Sequence, residues 1–275
     1  MKRSPWWLRL AAVFFGAALI WGVDGLVVTA IVGEGYSFPG HIMRAVSTFV
    51  LVGLLFALVF RLERPAPGYY GFRPRPGWFG IGAAGYTLPF AIAAVVVLAL
   101  GLATVTLTAG LPELLGRALL VLVLVLLFEA IPEELIFRGY LFRVLGERLP
   151  VWAVILVQAV LFCAFGAIIG AAVDVERQVL FALFSLALGV IRALSGTVFA
   201  TIGFHAAFQL ITQLSTAKWG VVVIDDPGLW FRDIAFFLAP LVLGPALIVA
   251  GVLITRPRAA RSSRRPSDAG TSRTP

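Results

Sequence analysis

This sequence predicts an all-α fold, a polytopic membrane helix bundle of about eight transmembrane helices, on three observations. Hydrophobic residues make up 60% of the chain and charged residues only 13%, against roughly 45–50% and about 25% in soluble domains. The mean hydropathy is +0.99. Apolar runs near the ~20 residues needed to cross hydrocarbon recur along the chain. They fall at Leu8–Ile31, Arg44–Phe60, Trp78–Leu107, Leu114–Phe137, Val151–Val173, Val179–Leu194, Thr197–Leu214 and Ile234–Ile254.

The first run follows a basic start, Met1-Lys-Arg-Ser-Pro-Trp-Trp-Leu-Arg9, as in a signal peptide. Its apolar stretch is about twenty residues, longer than the core of a cleaved signal, so a retained helix is expected. The second and sixth runs are short. The third is long enough to tilt or to break near Pro89. Between the second and third, Glu63 to Pro76 is rich in Pro, Gly and interfacial aromatics and reads as a loop. One transmembrane domain is expected over residues 1–255, and residues 256–275, rich in Arg, Ser, Pro and Thr, read as a disordered basic tail. No internal repeat or second domain is visible.

Charge sets the expected orientation. Alternating the loops between two sides puts seventeen Lys and Arg residues with the N-terminus and five opposite: Arg44, Arg117, Arg177, Lys218 and Arg232. By the positive-inside rule both termini are expected in the cytoplasm. The formal charge of +8 therefore points to membrane lipids as partners and not to nucleic acid. The single cysteine, Cys163, excludes an intramolecular disulfide and a multi-cysteine metal site.

The chemistry concentrates where Glu129, Glu133, Glu134 and Arg138 follow one of the most apolar stretches. Carboxylates in or at the lip of hydrocarbon are expensive, and three together imply a use. In a helix ending near Arg138, Glu134 and Arg138 share a face, as do Glu129 and Glu133. Two carboxylates one turn apart in low dielectric do not both ionise easily, which suits general-base activation of water. His205 and Gln209 also stand four apart, on an apolar helix. At 1.5 Å per residue His205 lies roughly 12 Å into its helix, and Glu129 and Glu133 roughly 14 and 8 Å back from Arg138. The depths agree.

Glu133-Glu134-Leu-Ile-Phe-Arg138 resembles the EExxxR motif of the CPBP family of intramembrane proteases, which contains the type 2 CAAX prenyl endopeptidases and relatives linked to bacteriocin self-immunity. The stretch from Leu188 through His205 to Gln209 is similar to the family's block carrying HxxxN, and the likeness covers roughly residues 118–214. The resemblance implies an intramembrane endopeptidase cleaving a peptide bond near the cytoplasmic face. Its substrate would be a peptide or membrane protein, prenylated for the eukaryotic relatives, and its location a bacterial plasma membrane. It assigns water activation to Glu133, support to Glu134 and Arg138, and water binding or oxyanion stabilisation to His205; Gln209 takes the asparagine's place. A metal and a glutamate mechanism have both been argued for the family.

Two departures bear on activity. The family's middle block is FxxxH, and here Phe162-Cys-Ala-Phe-Gly166 puts glycine at the histidine position, an alignment resting on family spacing alone. The other histidine, His41, is expected in an outer loop. One histidine and one amide make a poor zinc site, since catalytic zinc has three protein ligands. The alternative is therefore a catalytically silent member that binds a membrane partner or confers immunity. A proton-relay transporter is a third reading, disfavoured by the absence of repeated halves. Gly189, Gly196 and Gly203 are expected to permit close helix packing, Asp24 to pair with a neighbouring helix, Asp225 and Asp226 to sit in a solvated turn, and Cys163 to be inert core.

Overall fold

The computed structural model describes residues 5–33, 37–216 and 218–255, with side chains to residue 251. The expected tail at 256–275 lies outside the described residues. Among them are eight helices: α1 Trp6–Val32, α2 Phe38–Glu63, α3 Pro76–Ala99, α4 Leu111–Leu145, α5 Val151–Ile168, α6 Val175–Ser195, α7 Val198–Leu214, and α8, which opens as Phe231–Leu238 and continues as Ala239–Thr255. Seven are long and apolar enough to cross a membrane, and α7, at 17 residues, is shorter. Large apolar side chains such as Leu26 and Val160 are exposed on the outer faces, as expected of helices whose solvent is lipid. The chain is a multi-pass helical bundle.

The differences from the expected runs have local causes. α2 is 26 residues long and not short. Ser37 caps it by accepting the Gly40 N–H, with Pro39 in the first turn, so His41 lies on a helix rather than in a loop. α3 runs unbroken through Pro89. The carbonyl that Pro89 leaves without a helical donor, on Gly85, lies against Gly244 of α8. The third apolar run ends early: Thr104–Leu107 is a strand, β1, paired antiparallel with β2, Val222–Asp225, in the register Thr104↔Asp225 to Leu107↔Val222. Asp225 is thus a strand residue and not a turn. Gly196, expected at a packing contact, has φ +68° and ends α6 in the left-handed region.

Where helices approach most closely, glycine is required. A Cβ on Gly82 would overlap the Ala200 carbonyl, and one on Gly203 the Phe79 carbonyl, so α3 and α7 meet backbone to backbone. At one end of the bundle Arg9 of α1 forks onto Glu63 of α2 (2.8 and 3.0 Å) and reaches Glu147 after α4 (3.1 Å). Tyr70 donates to Glu63 (2.5 Å), Tyr69 donates to Glu147 (2.7 Å), and Tyr140 also donates to Glu63. Burial and the Glu63 carboxylate push the Tyr70 phenol well above its ordinary range, so it stays a neutral donor. Asp24 of α1 accepts from Ser47 and, at 3.5 Å, from Thr48 of α2, the neighbouring-helix pairing expected of it.

Gly203→Val is expected to destabilise the bundle by about 3 kcal/mol, because the obstacle is backbone that no rotamer change can move. Gly53→Ala, whose Cβ would meet nothing, is expected to be neutral or mildly stabilising. Thermal unfolding of the two detergent-solubilised variants beside wild type checks both.

Candidate active site

α4 is not a uniform helix. Leu126–Ala130 and Leu135–Leu141 are wide π turns flanking a single α turn, Ile131–Glu134. Pro132 offers one cause: it has no N–H, and its ring needs room against the carbonyl of residue 128, which the widened turn before it supplies. The helix does not end near Arg138, as the sequence suggested, but continues to Leu145. The EExxxR residues are therefore interior.

Consecutive residues on a helix point about 100° apart, and the two glutamates have different surroundings. Glu134 and Arg138 are both 0% exposed and His205 is 1%. Glu134 Oε1 accepts from Arg138 Nη1 at 3.1 Å and pairs with His205 Nδ1 at 3.0 Å. Arg138 Nη2 donates to Ser185 Oγ of α6 at 2.9 Å. Its guanidinium carbon lies 4.7 Å from the centre of the Phe162 ring, in cation–π range. The Phe184 ring meets His205 edge-on, centroids 4.8 Å apart. A charge pair buried so deeply persists only where further partners satisfy it, and here α5, α6 and α7 all supply groups.

Glu133 is half-buried and, among the described residues, makes no side-chain hydrogen bond. Its charge interacts with Glu129, Glu134 and Arg138. Glu129 accepts from Gln213 Nε2 of α7 at 3.3 Å. Two cross-helix bonds, Glu134 with His205 and Glu129 with Gln213, thus fix α4 against α7. Gln209 falls midway between His205 and Gln213 on one face of α7, as Glu133 falls between Glu129 and Glu134 on α4. Gln209 is also half-buried, and its amide makes no hydrogen bond among the described residues. Of the five residues singled out in the sequence, Glu134, Arg138 and His205 are joined directly. Glu133 and Gln209 share the bracketed stretch and make no side-chain hydrogen bond to that cluster among the described residues.

Ser185 and Arg192 were not read from the sequence as participants, and Gln158, a candidate there to fill the space beside Gly166, is bonded to Ser185. Ser185 receives both Arg138 and Gln158, whose Nε2 donates to Ser185 O at 2.9 Å and Oγ at 3.1 Å. Arg192, counted in the sequence among the basic helix-end residues, is buried. Its Nε donates to the Arg138 carbonyl at 2.7 Å, a carbonyl inside the second π turn. The signal was present as polar residues on the apolar helices α5 and α6, but nothing in their spacing named a partner. His41 packs its ring against Phe128 and Trp219, centroids 6.0 and 6.4 Å away. At Gly166 a Cβ would meet Phe181 at 2.6 Å and Ala172 at 3.1 Å, and Phe181 stacks on Phe162 at 5.2 Å. An aromatic wall fills that position. Among the described residues no three His, Cys, Asp or Glu side chains stand close enough to hold a metal ion.

Residues 115–211 match the family model described as Rce1-like, type II CAAX prenyl endopeptidase. This segment is Rce1-like. It spans α4 to α7, the helices that build the cluster, and it upholds the resemblance carried by EExxxR and the His205 block. No curated protein matches the chain.

Removing one member of a buried ion pair strands the other. Glu134→Ala and Arg138→Ala are each expected to cost about 3–5 kcal/mol, and Ser185→Ala about 1 kcal/mol. Denaturation midpoints and the yield of monodisperse protein should rank Ser185→Ala well above the other two.

Proposed function

We propose that this Rce1-like protein is an intramembrane endopeptidase in which Glu133 activates water for attack on a peptide bond near the cytoplasmic face. The observation that carries this reading is the asymmetry of the adjacent glutamates. Glu134 is committed to Arg138 and His205. Glu133 stands half-buried without a hydrogen-bond partner among the described residues, on the seam bracketed by the two cross-helix bonds.

The network supports a division of labour. Glu134, paired with Arg138, accepts a hydrogen bond from His205 Nδ1–H, so a neutral His205 presents the lone pair of Nε2. An acceptor there holds the attacking water by one O–H. Glu133 removes the other proton as the water oxygen bonds to the scissile carbonyl carbon, and returns it to the departing amine as the C–N bond breaks. The Gln209 amide, one turn along α7 from His205, is the donor for the developing oxyanion. The substrate class proposed is a peptide or membrane protein whose cleaved bond lies within reach of the cytoplasmic leaflet, prenylated as for the matched family.

A second reading has its own observation. Phe181 and Ala172 close the position at Gly166, where the family carries a histidine. A member lacking that group binds or shields a membrane partner without cleaving it.

Glu133→Gln is expected to reduce cleavage of a peptide library by at least about 10²-fold, the low end of general-base contributions, with thermal unfolding unchanged. Wild-type protein that turns over no member of a prenylated and unprenylated library would reject the peptidase reading in favour of the silent one. In that event a Gly166→His, Phe181→Ala double variant that gains cleavage would identify the wall as the reason.

A further inference from the structure

Away from the α4–α7 seam, the loop between α2 and α3 folds into a cavity of about 420 Å³ lined by Phe60, Tyr69, Tyr70, Phe72 and Arg64. One arginine lines it and two more pack against its lining residues. Arg64 ends α2 with φ +45°, a left-handed backbone that non-glycine residues rarely adopt, and its side chain lines the cavity. The Arg73 side chain lies across Gly68, where a Cβ would meet its Cγ and Nε at 2.7 Å. Arg143 rests over the Tyr69 ring, 4.4 Å from its centre. The nearby carboxylates, Glu63 and Glu147, are both held by Arg9, and none of the three arginines has an acidic partner among the described residues. The loop joins two apolar spans, so it lies where hydrocarbon gives way to headgroups, on the side to which the charge distribution assigns the cytoplasm.

We propose that this cavity binds the phosphate of an anionic phospholipid headgroup, with Arg64, Arg73 and Arg143 as its cations and Phe60 and Phe72 against the lipid's apolar portion. Phosphate esters match guanidinium donors in charge and geometry. The aromatic walls favour an anion that carries hydrocarbon over a free ion. The Tyr69 and Tyr70 hydroxyls are already given to Glu147 and Glu63, so recognition falls to the arginines and the ring faces. The inference is independent of whether Glu133 catalyses hydrolysis.

The test is to titrate the full chain in phosphatidylcholine nanodiscs with phosphatidylglycerol, reading retained lipid by native mass spectrometry. Wild type is expected to hold phosphatidylglycerol in preference to phosphatidylcholine. Arg64→Asn, which keeps a side chain tolerant of the left-handed backbone and so guards against misfolding, is expected to weaken it about fivefold, the share of one interfacial cation. Replacing Arg64, Arg73 and Arg143 together by Gln is expected to weaken it about a hundredfold. Replacing the exposed Arg61, Arg75 and Arg148 by Gln should change it less than about twofold. Equal losses in the two triple variants would overturn the site in favour of diffuse surface charge. Inorganic phosphate alone stabilising the protein as well as the lipid does would reassign the cavity to a soluble anion and overturn the lipid assignment.

Discussion

A carboxylate, a guanidinium and an imidazole buried together inside an apolar bundle constrain nearly everything around them. A charge in hydrocarbon has no water to turn to. Glu134 and Arg138 are therefore tolerable only as a pair, with His205 and Ser185 taking up part of their remaining hydrogen-bonding capacity; Glu134 Oε2 and Arg138 Nε stay buried without a hydrogen-bond partner among the described residues. That requirement dictates which helices must meet: α4 supplies the pair, α6 and α7 the hydrogen-bonding partners, and α5 the Phe162 ring beneath the guanidinium. Such a pair is weak evidence for net stability, since its desolvation cost is of the order of its attraction. Its consequence is specificity of arrangement, because a bundle packed in another register leaves a bare charge inside.

The backbone of α4 meets that demand by departing from regular helix. Pro132 interrupts the hydrogen-bond ladder, and the π turns on either side redistribute the mismatch. The second π turn carries the Arg138 carbonyl that Arg192 takes up from α6. Two arginines from different helices are thus engaged at one residue, Arg138 through its own side chain and Arg192 through its backbone oxygen. At the α3–α7 contact the solution is the opposite one. There Gly82 and Gly203 remove side chains altogether, which fixes the face of α7 that remains for α4 and hence the direction of His205.

The eight helices were legible because hydrocarbon thickness writes itself directly into run length, and Glu133-Glu134-Leu-Ile-Phe-Arg138 was legible because charges are so rare in such runs. Strand β1 was not. Thr104–Leu107 continues an apolar stretch, and only its partner Val222–Asp225, more than a hundred residues on, makes it a strand. The continuation of α4 past Arg138 was hidden by the habit of reading an arginine as a membrane edge; Glu134 and Ser185 allow it to be interior. Ser185 and Arg192 were visible as polar letters, but their role depends on which helix lies opposite, which periodicity in one helix cannot state. The match of depths between the acids and His205 did anticipate a contact. It did not anticipate that Glu134, and not Glu133, would make it.

That difference separates two jobs a single motif had seemed to share. Glu134 pairs with Arg138 and His205 through the same oxygen, Oε1. A residue one position along, rotated by about 100°, carries the same functional group without those obligations. Adjacent glutamates are an economical way to place a fixed carboxylate and an available one at the same membrane depth. The Phe181 wall beside Gly166 leaves this division intact, because it lies on the α5–α6 side while Glu133 and Gln209 belong to the α4–α7 seam. Along that seam the side chains that make no hydrogen bond among the described residues are Glu133 and Gln209.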